Sequence, residues 1–241
     1  MDRKFIREIR IDHAKIEHGS YLNEIKSIQS TKKITFAQLT FFVGENGSGK
    51  STLLEAIAVG YGFNPEGGSK NFNFSTRDTH SELYKALTIV KGNVPAKDGF
   101  FLRAESFYNV ASNIDDLDGY GEWRQKYFGG SLHQKSHGES FMALVQNRFF
   151  GNGLYILDEP EAALSPQRIL SLIIFIKKLI AKNSQFIIAS HSPILLGIPT
   201  AKILSFDDGK ISEISYEETS SYRITKSFLN NRDQFIKNLI Q

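Results

Sequence analysis

Nine residues, Gly44-Glu-Asn-Gly-Ser-Gly-Lys-Ser-Thr52, constrain this chain more than any others, because the pattern G-x-x-x-x-G-K-[ST] functions only between a strand and a helix. The loop must turn tightly and present bare backbone N–H groups to a polyphosphate. Glycines at 44, 47 and 49 leave out the side chains that would block it. Lys50 adds a cation on a long stem, able to reach β- and γ-phosphates. The Ser51 hydroxyl can ligate Mg²⁺, and a helix starting here points its positive dipole end at the anion. Gly44, Glu45, Asn46, Gly47, Ser48, Gly49, Lys50, Ser51 and Thr52 are therefore the candidate nucleotide-binding segment. The flanks agree: Leu39-Thr-Phe-Phe-Val43 reads as a strand and Leu53-Leu-Glu-Ala-Ile-Ala58 as the first helix, over residues 53–60.

Composition narrows the partners only slightly. The chain has 241 residues, 41% of them hydrophobic, enough for one compact domain over 1–241. A net charge of +3 from 29 basic and 26 acidic residues does not argue for nucleic acid or an anionic membrane. Cysteine is absent, which removes disulfides, thiolate zinc sites and thiol catalysis and suits a cytoplasmic chain. No secretory signal is visible. The most apolar segment, Ile169 to Ile180, contains Lys177 and Lys178 and is too short to span a bilayer, so it reads as a buried helix with no membrane insertion.

Along the chain, Phe5 to Ile11 reads as a strand and Lys33 to Val43 as another strand or a pair. Residues 62–78 form a loop rich in Gly, Asn, Ser and Phe, and 81–90 a strand or short helix. Phe100 to Arg103 reads as a core strand followed by a helical segment over 104–117 and a polar loop over 115–136. Glu139 to Phe150 reads as a helix with Phe141, Leu144, Val145, Arg148 and Phe149 on one face. Leu154 to Leu157 is a fully apolar strand, Gln167 to Ala181 a helix and Gln185 to Ala189 a strand. Ile203 to Phe206 and Ile211 to Ile214 read as a hairpin around Asp207-Asp-Gly209, and 227–240 as one terminal helix. Strands alternating with helices predict an α/β fold: a mainly parallel sheet covered by helices, with an antiparallel N-terminal β part and a small helical arm inserted at about 62–150.

Two further constellations follow the loop in order. Asp158-Glu159-Pro160 ends the apolar strand, where an open α/β sheet presents its catalytic groups. Asp158 can hold Mg²⁺, directly or through water, and Glu159 can polarise an attacking water. Then Phe186-Ile-Ile-Ala-Ser190 runs into His191, a residue able to donate to a γ-phosphate from a strand end.

In these motifs the chain resembles the ABC-type ATPase superfamily, a group of P-loop NTPases, from about Leu39 to Asp208. Lys135-Ser136-His137-Gly138-Glu139 is similar to that family's Leu-Ser-Gly-Gly-Gln signature, with His137 and Glu139 in place of Gly and Gln. Asp158-Glu-Pro-Glu-Ala-Ala-Leu-Ser-Pro166 resembles the soluble ABC/AAA-like ATPases related to the OLD, RecF and SMC-like groups. Ser165 stands where transporter subunits carry a D-loop aspartate.

The resemblance implies ATP and Mg²⁺ as cofactors, hydrolysis involving Lys50, Glu159 and His191, and metal binding by Ser51 and Asp158. It also implies an ATP-dependent homodimer in which Ser136 and Gly138 cap the nucleotide held by the other copy. Arg103 and Glu105 are the candidates near the Q-loop position; Tyr21, Phe36 and Phe72 are the aromatic candidates for the base. The coupled process stays open between an unknown protein partner, a membrane transporter's motor subunit, and a switch acting on DNA or an effector protein.

Overall fold

The computed structural model describes residues 3–69, 81–104, 107 and 136–240. Strand β1 (Ile6–Ile11) pairs antiparallel with β2 (Lys33–Thr35) on one side and β4 (Leu87–Lys91) on the other. This is the antiparallel N-terminal part expected from the sequence. The larger sheet contains β3 (Leu39–Val43), β5 (Asp98–Arg103), β6 (Gly153–Asp158), β7 (Gln185–Ala189), β8 (Lys202–Ser205) and β9 (Ser212–Ile214), in the order β5-β6-β7-β3-β8-β9. All neighbours run parallel except β9, which closes a hairpin on β8.

The central strands are apolar on both faces because both faces are covered. Every residue of β3, β6 and β7 is buried. Alternation along each strand divides the core in two. Phe41, Tyr155 and Ile188 face one apolar cluster, while Phe42, Ile156 and Ile187 face the other.

Among the described residues the α-helices, in chain order, are α1 (Lys26–Gln29), α2 (Lys50–Tyr61), α3 (Leu83–Ala86), α4 (His137–Arg148), α5 (Pro166–Ala181), α6 (Pro193–Leu196), α7 (Ser220–Asn230) and α8 (Arg232–Ile240). α2 lies in the cluster shared with the antiparallel sheet; α4 and α5 cover the opposite face. Gln185, fully buried on β7, joins the two sheets. Its Oε1 accepts from the backbone N–H of Phe5 (2.7 Å) and Ile6 (2.9 Å), and its Nε2 donates to Ile6 O (2.8 Å) and Ala37 O (3.0 Å). A buried amide with its capacity used in this way fixes register as well as orientation.

Several expectations need correction. The first long helix begins at Lys50 rather than 53, inside the phosphate loop, and the short α1 precedes it. α4 starts at His137 because Ser136 and Glu139 form a capping box, which satisfies donors at the helix start. Residues 81–90 are both things considered, a helical turn and then a strand. The terminal helix is two helices, broken where Asn231 leaves helical geometry at φ −143°.

α5 is amphipathic rather than wholly buried. Ile169, Leu172, Ile176 and Leu179 pack on the sheet, whereas Leu170 and Ile174 are 52% and 57% exposed. No helix among the described residues is long and apolar enough to cross a membrane. The segment 104–117, apart from Ala104 and Phe107, and the loop 115–136, apart from Ser136, lie outside the described residues.

Candidate functional site

Parallel pairing of β3, β7 and β6 brings three strand ends to one edge, and each end carries one of the sequence constellations. The loop after β3 turns through three glycines with φ of 143°, 80° and 97° at 44, 47 and 49. Gly49 is doubly constrained, since a Cβ there would stand 2.6 Å from Ile25 Cγ2 as well as adopting an unfavourable φ. Neighbouring elements hold the loop from outside. Glu45 N donates to Asp207 Oδ1 (2.9 Å) in the β8–β9 turn, and the Ser27 hydroxyl of α1 donates to Ser48 O. Asp207, in the β8–β9 turn, and Ser27, on the short helix α1, were missed by sequence reasoning because each lies far from the loop in sequence and has no motif of its own.

Lys50 is 4% exposed and folds back over the loop, donating to Gly44 O (2.7 Å) and Glu45 O (2.8 Å). Burial pushes its ammonium below the ordinary lysine range, and the carboxylates of Glu159, Asp207, Asp158 and Glu161 oppose that shift. The cation therefore sits in a partly desolvated, electronegative nest, where a polyphosphate can compete with backbone carbonyls for its donors. The Ser48 hydroxyl oxygen is buried there without a hydrogen-bond partner. Thr52 lies in the first turn of α2, half-buried.

Next to the loop, Ser51 Oγ donates to Asp158 Oδ1 at 3.0 Å. Ser51, Arg103, His137, Asp158 and Glu159 line one cavity of about 290 Å³. The donor set suits Mg²⁺: a hydroxyl and a carboxylate are hard oxygens, and this ion keeps several waters and takes phosphate oxygens rather than requiring a protein cage. The described residues hold no group of three or more His, Cys, Asp or Glu that could form such a cage.

Glu159 has left-handed backbone, φ 48° and ψ 51°, which turns its carboxylate away from the strand toward His191. His191 Nε2 is 3.6 Å from Glu159 Oε1 and makes no hydrogen bond.

Glu161, unremarked from sequence except within the Asp-Glu-Pro-Glu phrase, organises the histidine turn. Its Oε1 accepts from Ser190 Oγ (2.9 Å), from His191 N and from Ser192 N (3.2 Å). One carboxylate oxygen gathering three donors fixes the path of the chain at His191. In a site that turns over ATP, as the motif resemblance implies, Glu161→Ala is expected to lower the rate by about ten- to a hundredfold, as loss of an outer-shell partner does elsewhere, with nucleotide affinity little changed. Glu161→Gln, which keeps one acceptor oxygen, should recover most of the rate. Steady-state kinetics on the two variants check both.

Ser136 and Gly138 begin α4. Ser136 is exposed; its N–H and its hydroxyl donate to Glu139 Oε2 at 2.8 and 2.7 Å, and Arg168 Nη1 donates to Ser136 Oγ at 3.2 Å. These bonds tie the segment to α5 rather than to the phosphate loop of the same chain. Gly138 has no room for a side chain, since a Cβ would meet Arg168 Nη1 at 2.7 Å and Ala163 O at 2.9 Å. His137, which replaces a glycine of the resembling motif, turns inward to the cavity and meets Phe107 edge-on, with ring centroids 5.4 Å apart.

Among the aromatic candidates for a base, Phe36 is 2% exposed and packs toward Phe42, so it belongs to the core. Tyr21 is 54% exposed; Phe72 lies outside the described residues, as does Glu105.

The chain matches two family models in order. The first, an AAA domain, covers residues 21–112 and includes the phosphate loop. The second is an AAA domain whose description names the AbiEii toxin of a type IV TA system; it covers 131–197, including Ser136, Asp158 and His191. No curated protein matches the sequence.

Similar solved structures include the SMC head domain from Thermotoga maritima, at 16% identity and TM-score 0.46, over 87% of this chain and 98% of that one. An SMC head bound to the C-terminal winged-helix domain of ScpA matches at 18% and 0.47, over 77% and 94%. A metal-chelate type ABC transporter in an inward-facing conformation matches at 15% and 0.43, over 79% and 78%. One AAA-domain model lies on the phosphate loop and another on the Asp-Glu strand and the histidine, and the parallel sheet gathers all three at one edge, so over these two segments the chain is similar to AAA-type ATPase domains.

Proposed function

We propose that the protein is a cytoplasmic, Mg²⁺-dependent ATP hydrolase in which two copies close head to tail around two nucleotides, with 1–241 acting as one ATPase domain. The observation that carries the hydrolase reading is the Ser51–Asp158 hydrogen bond beside buried Lys50, with Glu159 and His191 on the same rim. Lys50 would exchange Gly44 O and Glu45 O for phosphate oxygens. Ser51 and Asp158 would hold Mg²⁺, whose chemistry is to neutralise phosphate charge. Glu159 would accept a proton from water and His191 would donate toward the γ-phosphate, so catalysis is mainly positioning and charge neutralisation.

The dimer reading is supported by Ser136, exposed at a helix N-terminus with its described bonds directed to Glu139 and Arg168. A composite site makes a specific prediction. Lys50→Ala and Ser136→Arg should each be inactive alone, yet a mixed dimer contains one intact site built from the good loop of one copy and the good Ser136 of the other. Mixing equal amounts should restore about a quarter of the wild-type rate, since half the dimers are mixed and each has one of two sites. A mixed sample no faster than its two components would rule out action in trans.

A further inference from the structure

We propose that Arg103 is a resident counter-cation of the metal pocket, holding the Asp158 carboxylate when no divalent ion is present and competing with Mg²⁺ for it. The inference rests on the reading of Ser51 and Asp158 as metal-holding residues and adds a competitor that reading does not require.

The argument starts from register. Arg103 ends β5, Asp158 ends β6, and the two are direct partners across the parallel pair, so their side chains leave the sheet side by side. Arg103 Nε lies 3.5 Å from Asp158 Oδ2, and Asp158 Oδ1 accepts from Ser51 Oγ at 3.0 Å, so both carboxylate oxygens are addressed. The same guanidinium is anchored from behind: Nη1 donates to Glu55 Oε2 at 2.8 Å, and Glu55 lies one turn beyond Ser51 on α2.

All three side chains are largely withdrawn from water, at 20% exposed for Arg103, 12% for Glu55 and 8% for Asp158. A guanidinium stays charged at any working pH, so this cation cannot leave the pocket by deprotonation. It can leave Asp158 only by being held elsewhere, and Glu55 is placed to hold it. Among the described residues, then, one guanidinium faces two carboxylates beside the Ser51 hydroxyl. A divalent ion at Asp158 would shift Arg103 onto Glu55 without exposing it. Arg103 acts through Asp158 and is thus a positioning residue.

A purely structural ion pair would respond alike to loss of either partner. Competition predicts opposite signs. Arg103→Met removes the competitor and should lower the Mg²⁺ concentration at which a fluorescent non-hydrolysable ATP analogue reaches half of its Mg²⁺-dependent binding. The expected shift is about tenfold, within the usual range for linkage between two ligands. Glu55→Gln removes the anchor's charge, weakens the pull on Arg103 away from Asp158 and should raise that midpoint several-fold. General field effects would add independently, whereas here Glu55→Gln should have no further effect in the Arg103→Met background.

The titration is therefore run on wild type, both single variants and the double variant, with folding checked by circular dichroism. An unchanged midpoint in Arg103→Met, or additive shifts in the double variant, overturns the inference while leaving the ATPase reading intact. Should Arg103→Met not fold, Glu55→Gln carries the test, and an unchanged midpoint there overturns it. A wild-type protein that binds no analogue at any Mg²⁺ concentration removes both readings.

Discussion

Replacing Lys50 by alanine is expected to reduce ATP turnover by about a thousandfold, because charge-stabilising groups at phosphoryl-transfer sites contribute on that order. The effect should exceed that of an exposed cation because the ammonium is 4% exposed and works where water screens it little. Thermal unfolding separates binding from chemistry. Wild type should gain about 2.7 kcal/mol from ATP at a hundredfold excess over Kd, and Lys50→Ala should gain far less. Without nucleotide the variant should remain folded, since burial already disfavours the charged lysine and the loop keeps its bonds to Asp207 and Ser27. Lys50→Arg should not restore activity. A planar guanidinium cannot place its donors where a compact ammonium meets Gly44 O and Glu45 O. A Lys50→Ala protein that turns over ATP near the wild-type rate would remove the phosphate loop from the mechanism.

The constellations that were legible in the sequence are those whose chemistry is local. The loop at 44–52, the Asp158-Glu159 strand end and the turn at His191 each occupy a few consecutive residues, and the strand-helix alternation around them fixes their common edge. What was not legible depends on register and on side chains crossing between elements. Glu161 was one acid among three until its Oε1 was found under the 190–192 turn. The sequence offers Arg103 as a candidate near the Q-loop position, but its pairing with Asp158 follows from the β5–β6 alignment, which no local pattern encodes. Gln185 reads as an ordinary polar start to a strand, and only the meeting of two sheets explains its complete burial. The split of the C-terminal segment at Asn231 was missed for a different reason. Neither α7 nor α8 has a buried residue, so the apolar periodicity that set the other boundaries had no core to register against.

Glu159→Gln should lower turnover by about a hundredfold or more while leaving ATP binding intact, and it should accumulate an ATP-dependent dimer. The substitution preserves the structural demands of the position. Glu159 has a left-handed backbone that costs roughly 1 kcal/mol or more for a residue with a side chain, and glutamine bears the same cost. The geometry is held by the backbone, through Glu159 N donating to Ala189 O at 3.0 Å and Pro160 opening the next turn. These features do not depend on the carboxylate. Only the ability to take a proton is removed, at a side chain 43% exposed and 3.6 Å from His191 Nε2. If hydrolysis is what separates the two copies, blocking it while ATP still binds leaves them closed. Analytical ultracentrifugation of Glu159→Gln should then show a dimer with ATP and a monomer without it, and Glu159→Gln combined with Lys50→Ala should stay monomeric in both. A Glu159→Gln protein that remains monomeric with saturating ATP would show that nucleotide does not join two copies, whatever its turnover.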